Sequence, residues 1–303
     1  MAADQGLIVA DRLAPAGNDF GRRGTVSAFF ASKRRTRLIL LLGAPLLWLV
    51  VAYLGSIALL LLSSFWTTDS FTNNVVHTYG TGNLHAVYTE SLYRTVGLRT
   101  IGVAFLVTAI DALIAFPIAF YMGVVARPRT RRILVVAVLT PLWASYLIKA
   151  FAWRSLLAPN GALTYVTGGH TPGYGLTATV ITLSYLWLPY MIIPVYAGFE
   201  RMPTSLFEAS ADLGAGPGRT IRTVVLPMIF PAVAAGSIFT FSLTLGDYIA
   251  VGIVGGKTQL VANLINETVT LNQPLAAALS TIPLIAIVIY LLAMRRTGAL
   301  ENV

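Results

Sequence analysis

The 303-residue chain contains no cysteine. That excludes disulfides, cysteine nucleophiles and thiolate metal sites, and leaves the redox compartment open. Charge is also scarce: Asp, Glu, Lys and Arg make up 11% of the residues, against 56% hydrophobic. A typical soluble domain is about 25% charged, so this chain has too little charge to cover a water-soluble globule. A disordered chain needs low hydrophobicity and high charge and is disfavoured as well. Three histidines, His77, His85 and His170, carry no metal-type spacing such as His-Glu-x-x-His, and no nucleophile with a nearby base is visible. What the chain has instead is long apolar runs, and an integral membrane protein accounts for them.

A membrane-spanning helix needs about 20 mainly apolar residues. Such runs lie near 38–65, 95–123, 133–157, 176–199, 227–253 and 274–294, which predicts six spans in an all-α membrane protein. Residues 1–37 read as a polar, basic tail and 295–303 as a second short tail. The first run starts at Leu38, too late and too long for a cleaved signal peptide, and reads as a signal anchor. Net charge is +9. In a soluble chain that would suggest nucleic acid. Here 16 of the 21 Lys and Arg fall in the two tails and in the loops after spans two and four. That bias predicts cytoplasmic termini and accounts for the excess without nucleic acid. Pro117, Pro141, Pro189, Pro194, Pro231 and Pro283 lie in or near span ends, either as ordinary kinks or as the breaks of a transporter.

The loop 200–226 carries the sharpest local pattern. Ser205 followed three residues later by Glu208 reads as a capping box that starts a short helix. Gly214 suits its left-handed stop. A second helical segment is expected from Arg219 to Leu226, with Pro227 in the first turn of the next helix. Leu206, Phe207 and Leu213 have few apolar partners in the loop, and so short a helix is marginal alone in water. It is therefore expected to dock on something.

Glu208-Ala209-Ser210, three residues, Gly214, nine residues, then Val224-Val225-Leu226-Pro227 resembles the EAA loop of bacterial ABC importer permeases. That loop reads Glu-Ala-Ala, three residues, Gly, nine residues, Ile-x-Leu-Pro; Ser210 and Val224 are mild departures. Pro141 to Leu147, Ala150 to Trp153 and Pro159-Asn160-Gly161 resemble the third span of B-type spermidine/putrescine permeases. Leu245 to Tyr248, Gly255-Gly256-Lys257 and Asn263-Leu264-Ile265 are similar to their fifth span and the loop after it. The resemblance covers roughly residues 38–294 and implies a type I ABC importer (MetI-like) transmembrane domain, with its core about 92–293. It implies an inner-membrane location and a coupling helix carried by Ser205, Phe207, Glu208, Ala209, Asp212, Gly214, Leu226 and Pro227. It also implies a second permease subunit in a heterodimer, two ATPase subunits that bind ATP and Mg, and an extracytoplasmic binding protein. No cofactor is expected in this chain. The implied cargo is polyamine; an opine, an aminophosphonate or another amino compound is the alternative. A stand-alone channel or a membrane enzyme is the reading from a different class.

Ionisable groups inside spans are costly and are functional candidates by default. Asp111 and Arg99 are separated by about 18 Å of helix and do not pair. Asp247 and Lys149 fall at similar depth, which allows a salt bridge. Asp247 is the candidate contact for a cationic substrate, with Tyr248, Tyr185, Trp187, Trp143 and Tyr146 as cation–π neighbours. Against this, Asp247 reads equally as a structural pair or helix cap, the aromatics as interface belt or core, and Asp111 as structural. Gly252 to Thr258 imitates a phosphate loop, but the spacing misses by one residue. The energy source is therefore expected in partner subunits.

Overall fold

The computed structural model describes residues 34–69, 71–72 and 74–295. The tails read from sequence, 1–37 and 295–303, lie almost wholly outside these residues. The chain divides into two units after Leu59. The first contains α1 (Arg34–Leu49), a π turn (Val50–Leu54) and the start of α2 (Gly55–Ser63). Leu47, Trp48 and Val51 are exposed, Trp48 at 76%. A bare apolar helix of this length suits lipid or another subunit and not water.

The second unit opens with a small hairpin, β1 (Thr67–Thr68) antiparallel to β2 (Val75–Val76), with Thr67 opposite Val76. Asp69 holds its turn. Its carboxylate accepts the Phe71 N–H at 2.9 Å and the Thr72 hydroxyl at 3.0 Å, an Asx-type turn. These two bonds hold the Asp69 carboxyl below its usual pKa. His77 stacks on Trp66 at 4.2 Å between ring centroids. The short α3 (Gly82–Thr89) leads into the bundle.

The bundle is built on α4 (Ser91–Phe120), continued by a π turn (Tyr121–Val125), and α8 (Leu176–Glu200). A third long helix runs unbroken through α10 (Pro217–Thr220), a π turn (Ile221–Val225) and α11 (Leu226–Gly246). The last span comprises α14 (Gln273–Leu279) and α15 (Thr281–Arg295). Inside a membrane, lipid removes most of the hydrophobic drive, so helices hold together by close packing. Small residues permit it here. A Cβ on Gly198 would lie 2.7 Å from Ala232 Cβ and Ile229 Cδ1, and one on Gly236 would lie 2.8 Å from Met191 Sδ. Phe199, Met122, Val195 and Ile229 form one buried cluster, and Val103, Leu183, Leu186 and Val251 a second.

Two expected spans are bent or interrupted. The stretch near 133–157 is α5 (Pro128–Trp143) and α6 (Tyr146–Leu157), bent by 94°. Ala144 and Ser145 are extended at the break. Five helices are long and apolar enough to span among the described residues, or six if the bent pair counts as one. The stretch near 227–253 instead starts at Pro217 and ends at Gly246; Asp247 leaves the helix and α12 (Ile249–Val254) begins afresh. Pro227 lies in the first turn of α11, as expected, although α11 continues the helix from Pro217 without a break. It follows a π turn, whose wider winding tolerates a residue that cannot donate its N–H. α7 (Ala162–Val166) and α13 (Val261–Thr268) complete the connections.

Candidate functional site

The first candidate is the short helix α9 (Ser205–Asp212), on the loop between α8 and α10. Its C-terminus closes as a Schellman motif. Gly214 has φ +75°, its N–H donates to Ala211 O at 2.8 Å, and Ala215 N–H donates to Ser210 O at 3.0 Å. The N-terminus corrects the sequence expectation, because no capping box forms. Thr204 is the N-cap in helical geometry, with no side-chain cap bond. Backbone carbonyls serve the first turn instead: Thr204 O accepts from Phe207 N at 3.0 Å. Glu208 is thus spared from capping and stands exposed beside Ser205, Ala209, Asp212 and Gly214.

The apolar face of α9 is also corrected. Leu206 and Phe207 are half-buried against the chain's own core and are not waiting for a partner. Phe207 meets Phe120 edge-on at 6.4 Å; Phe120 meets Phe199 at 5.5 Å. The Ser210 and Thr220 hydroxyls are buried together at 2.8 Å. Leu213 alone of the three apolar residues stands out, 88% exposed. Leu226 and Pro227 lie on α11, beyond the π turn, and are also exposed.

Arg131 braces this end of the bundle, a role the sequence reading did not assign. Its Nε donates to Met122 O at 3.0 Å and its Nη2 to Gly123 O at 2.8 Å. Its Nη1 lies 3.6 Å from Glu200, the last residue of α8. A cation on the final carbonyls of a helix is favoured by the helix dipole. Nine residues separate Arg131 from Met122, so no local spacing rule could have revealed the brace.

The second candidate lies where both broken helices meet. Asp247 Oδ1 accepts the Ala250 N–H at 2.9 Å, capping α12. Asp247 Oδ2 accepts the Tyr146 hydroxyl. The Tyr146 ring stacks on Trp187 at 6.0 Å. Asp247 is 6% exposed. The salt bridge to Lys149 does not form. The Lys149 ammonium donates to Pro141 O at 3.1 Å, on the last turn of α5, whose ladder the 94° bend interrupts.

Tyr248 is half open beside Asp247, and its carbonyl accepts from Asn263. Tyr185 pairs with Trp153 at 5.2 Å. Trp143 does not join the cluster; it stands 90% exposed at the end of α5. Asp111 is fully buried in α4 with no hydrogen-bond partner, and the Ser184 hydroxyl of α8 lies beside it. The phosphate-loop imitation is the end of α12 and the turn after it, with Gly256 at φ +58°. No cluster able to hold a metal occurs among the described residues.

Comparison with known proteins identifies this helical membrane bundle, with a terminated short helix presented on a loop at one end, as the non-enzymatic permease subunit of an ABC importer with the MetI-like fold. The chain belongs to the family described as binding-protein-dependent transport system inner membrane component, whose model matches residues 112–297. It is 39% identical over 298 residues to the inner membrane ABC transporter permease protein YdcU of Escherichia coli (strain K12), covering 92% of this chain and 95% of that protein. It is 30% identical over 243 residues to the spermidine/putrescine transport system permease protein PotB of Haemophilus influenzae, covering 77% and 84%. The fold matches a chain of the MetNI methionine ABC transporter in inward-facing conformations. That match has TM-score 0.54 and 19% identity, and covers 66% of this chain and 91% of that one.

Proposed function

We propose that this chain is one of two different permease subunits in an importer for small cationic amines of the polyamine class. Two ATPase subunits, which bind ATP and Mg, engage the exposed face of α9. A binding protein delivers the solute at the opposite end. Both termini lie in the cytoplasm, in keeping with the Lys/Arg bias.

The observation that carries the reading is α9 itself. Glu208, Asp212 and Leu213 are exposed on a helix whose other face is fastened to the bundle by Phe207. Motion imposed on the outer face is therefore handed to α4 and α8 and not absorbed by the loop. Rigid-body rocking of packed helices then alternates access. The likeness to PotB and the Asp247 carboxylate among Tyr146, Trp187 and Tyr248 support a cationic cargo.

In the reconstituted complex, deleting residues 205–213 is expected to abolish substrate-stimulated ATP hydrolysis while the spans still insert. Unchanged stimulation would sink the coupling assignment. Asp247→Asn is expected to slow polyamine uptake, and uptake at the normal rate would remove the cation contact.

A further inference from the structure

Between α5 and α8, at the end that carries Arg127 to Arg132, a groove opens on the side of the bundle. Arg131, Arg132 and Glu200 form its rim, with Tyr196 and Val135 just inside. The same Tyr196 and Val135 line a second hollow that runs on past Val138 and Leu139 to Ile193. Polar groups stand at one end and only apolar side chains at the other. From Arg132 to Leu139 the helix rises about 10 Å, about two thirds of one leaflet of a hydrocarbon core about 30 Å thick.

The charge at the rim is one-sided. Glu200 is its carboxylate, and Arg131 already faces it while holding Met122 O and Gly123 O. Arg127, Arg129 and Arg132 are exposed, and none makes an ion pair among the described residues. The free Arg132 guanidinium at the rim, with Arg127 and Arg129 exposed on the same basic segment, stands at the mouth of an apolar slot and matches a ligand with an anionic head and a hydrocarbon tail in that order. Guanidinium pairs with phosphate through two parallel hydrogen bonds, and basic pockets between spanning helices hold anionic headgroups. A transmembrane protein helix in the slot would bring no such counter-charge at this depth unless it were acidic there.

We infer that this groove binds an anionic phospholipid. One acyl chain lies along Val135, Leu139 and Ile193, and the phosphate sits on Arg132 with Arg127 and Arg129 around it. The inference rests on the chain spanning a membrane and is independent of cargo and coupling.

The test is native mass spectrometry of the assembled complex, purified in detergent and offered phosphatidylglycerol or phosphatidylcholine. Wild type is expected to retain phosphatidylglycerol in preference. Each Arg→Gln change at 127, 129 and 132 is expected to weaken retention about fivefold, whereas Arg→Lys at the same three positions should hold the preference. Ile193→Trp, which fills the slot, should expel the lipid with all three charges intact. Equal retention of both lipids by wild type would overturn the inference, as would unchanged retention by the triple Gln variant. So would loss of the second permease subunit from the Ile193→Trp complex, which would reveal a protein helix as the occupant.

Discussion

Replacing Gly123 by Ala adds one methyl group where the π turn after α4 packs against the end of α8. An added Cβ would lie 2.5 Å from Phe199 Cβ, 3.3 Å from the Phe199 carbonyl carbon and 3.4 Å from Glu200 N. Ordinary carbon contacts are about 3.5–4.0 Å. Phe199 cannot swing aside, because its Cβ is fixed to the backbone and its ring is held by Phe116 and Phe120 at 5.5 Å each. The backbone at the end of α8 must therefore move by about 1 Å, and overpacking of this kind costs about 1–3 kcal/mol. Gly102, in the same span, is the control: a Cβ there meets nothing within 4 Å. Gly102→Ala should instead gain about 0.5–1 kcal/mol of helix preference. At about 2–4 °C per kcal/mol for a chain of this order, the two variants should separate by at least about 3 °C in thermal unfolding in detergent. Phe199 lies just ahead of the linker to α9, so substrate-stimulated ATP hydrolysis should fall in the Gly123 variant as well. Gly123→Ala unfolding at or above the temperature of Gly102→Ala would refute the packing argument.

Three further outcomes follow from the geometry. Gly214→Ala places a Cβ at φ +75°, a conformation that costs about 1–2 kcal/mol for an ordinary residue. Asn tolerates that region better, so stimulated ATP turnover should rank Gly above Asn above Ala; equal turnover in all three would show that the stop does not matter. Tyr146→Phe leaves Asp247 Oδ2 without its donor. An abandoned buried acceptor costs about 1–3 kcal/mol, more when charged, so the variant should unfold at lower temperature than wild type, and an unchanged midpoint would contradict the latch. Asp69 has a lowered pKa, so its turn is held at pH above the usual carboxyl value of 3.8 and released as pH falls through the folded value. A carboxyl chemical-shift titration should show a midpoint below 3.8, and Asp69→Asn should remove the loss of hairpin amide protection, relative to intrinsic exchange, that wild type shows as pH falls through that midpoint.

Much of the 200–226 loop was legible because its instructions are local. Gly214 stops α9 through its own backbone freedom, and the distance from Glu208 to Pro227 is a spacing along the chain. The capping box failed for a local reason too: Thr204 lies in helical geometry, so residues 203 and 204 supply carbonyls and Ser205 is already inside the first turn. The destination of Phe207 was not legible. An apolar side chain on a short helix fits an outside groove and an inside one equally well, and only the position of Phe120 decides between them.

Composition by itself determined that the chain lives in a membrane, because hydropathy is a property of residue type. The number of long apolar helices followed from run length. Tertiary structure alone decided where those helices break and what the buried charges hold. Pro141 marked a weak point, but the 94° bend depends on the neighbours that pack against it, and Lys149 turns to the carbonyl beside that bend instead of to Asp247. Asp247 in turn caps α12 and takes the Tyr146 hydroxyl from a helix 101 residues away in sequence. A hydrogen bond between distant segments requires a three-dimensional path that no periodicity encodes.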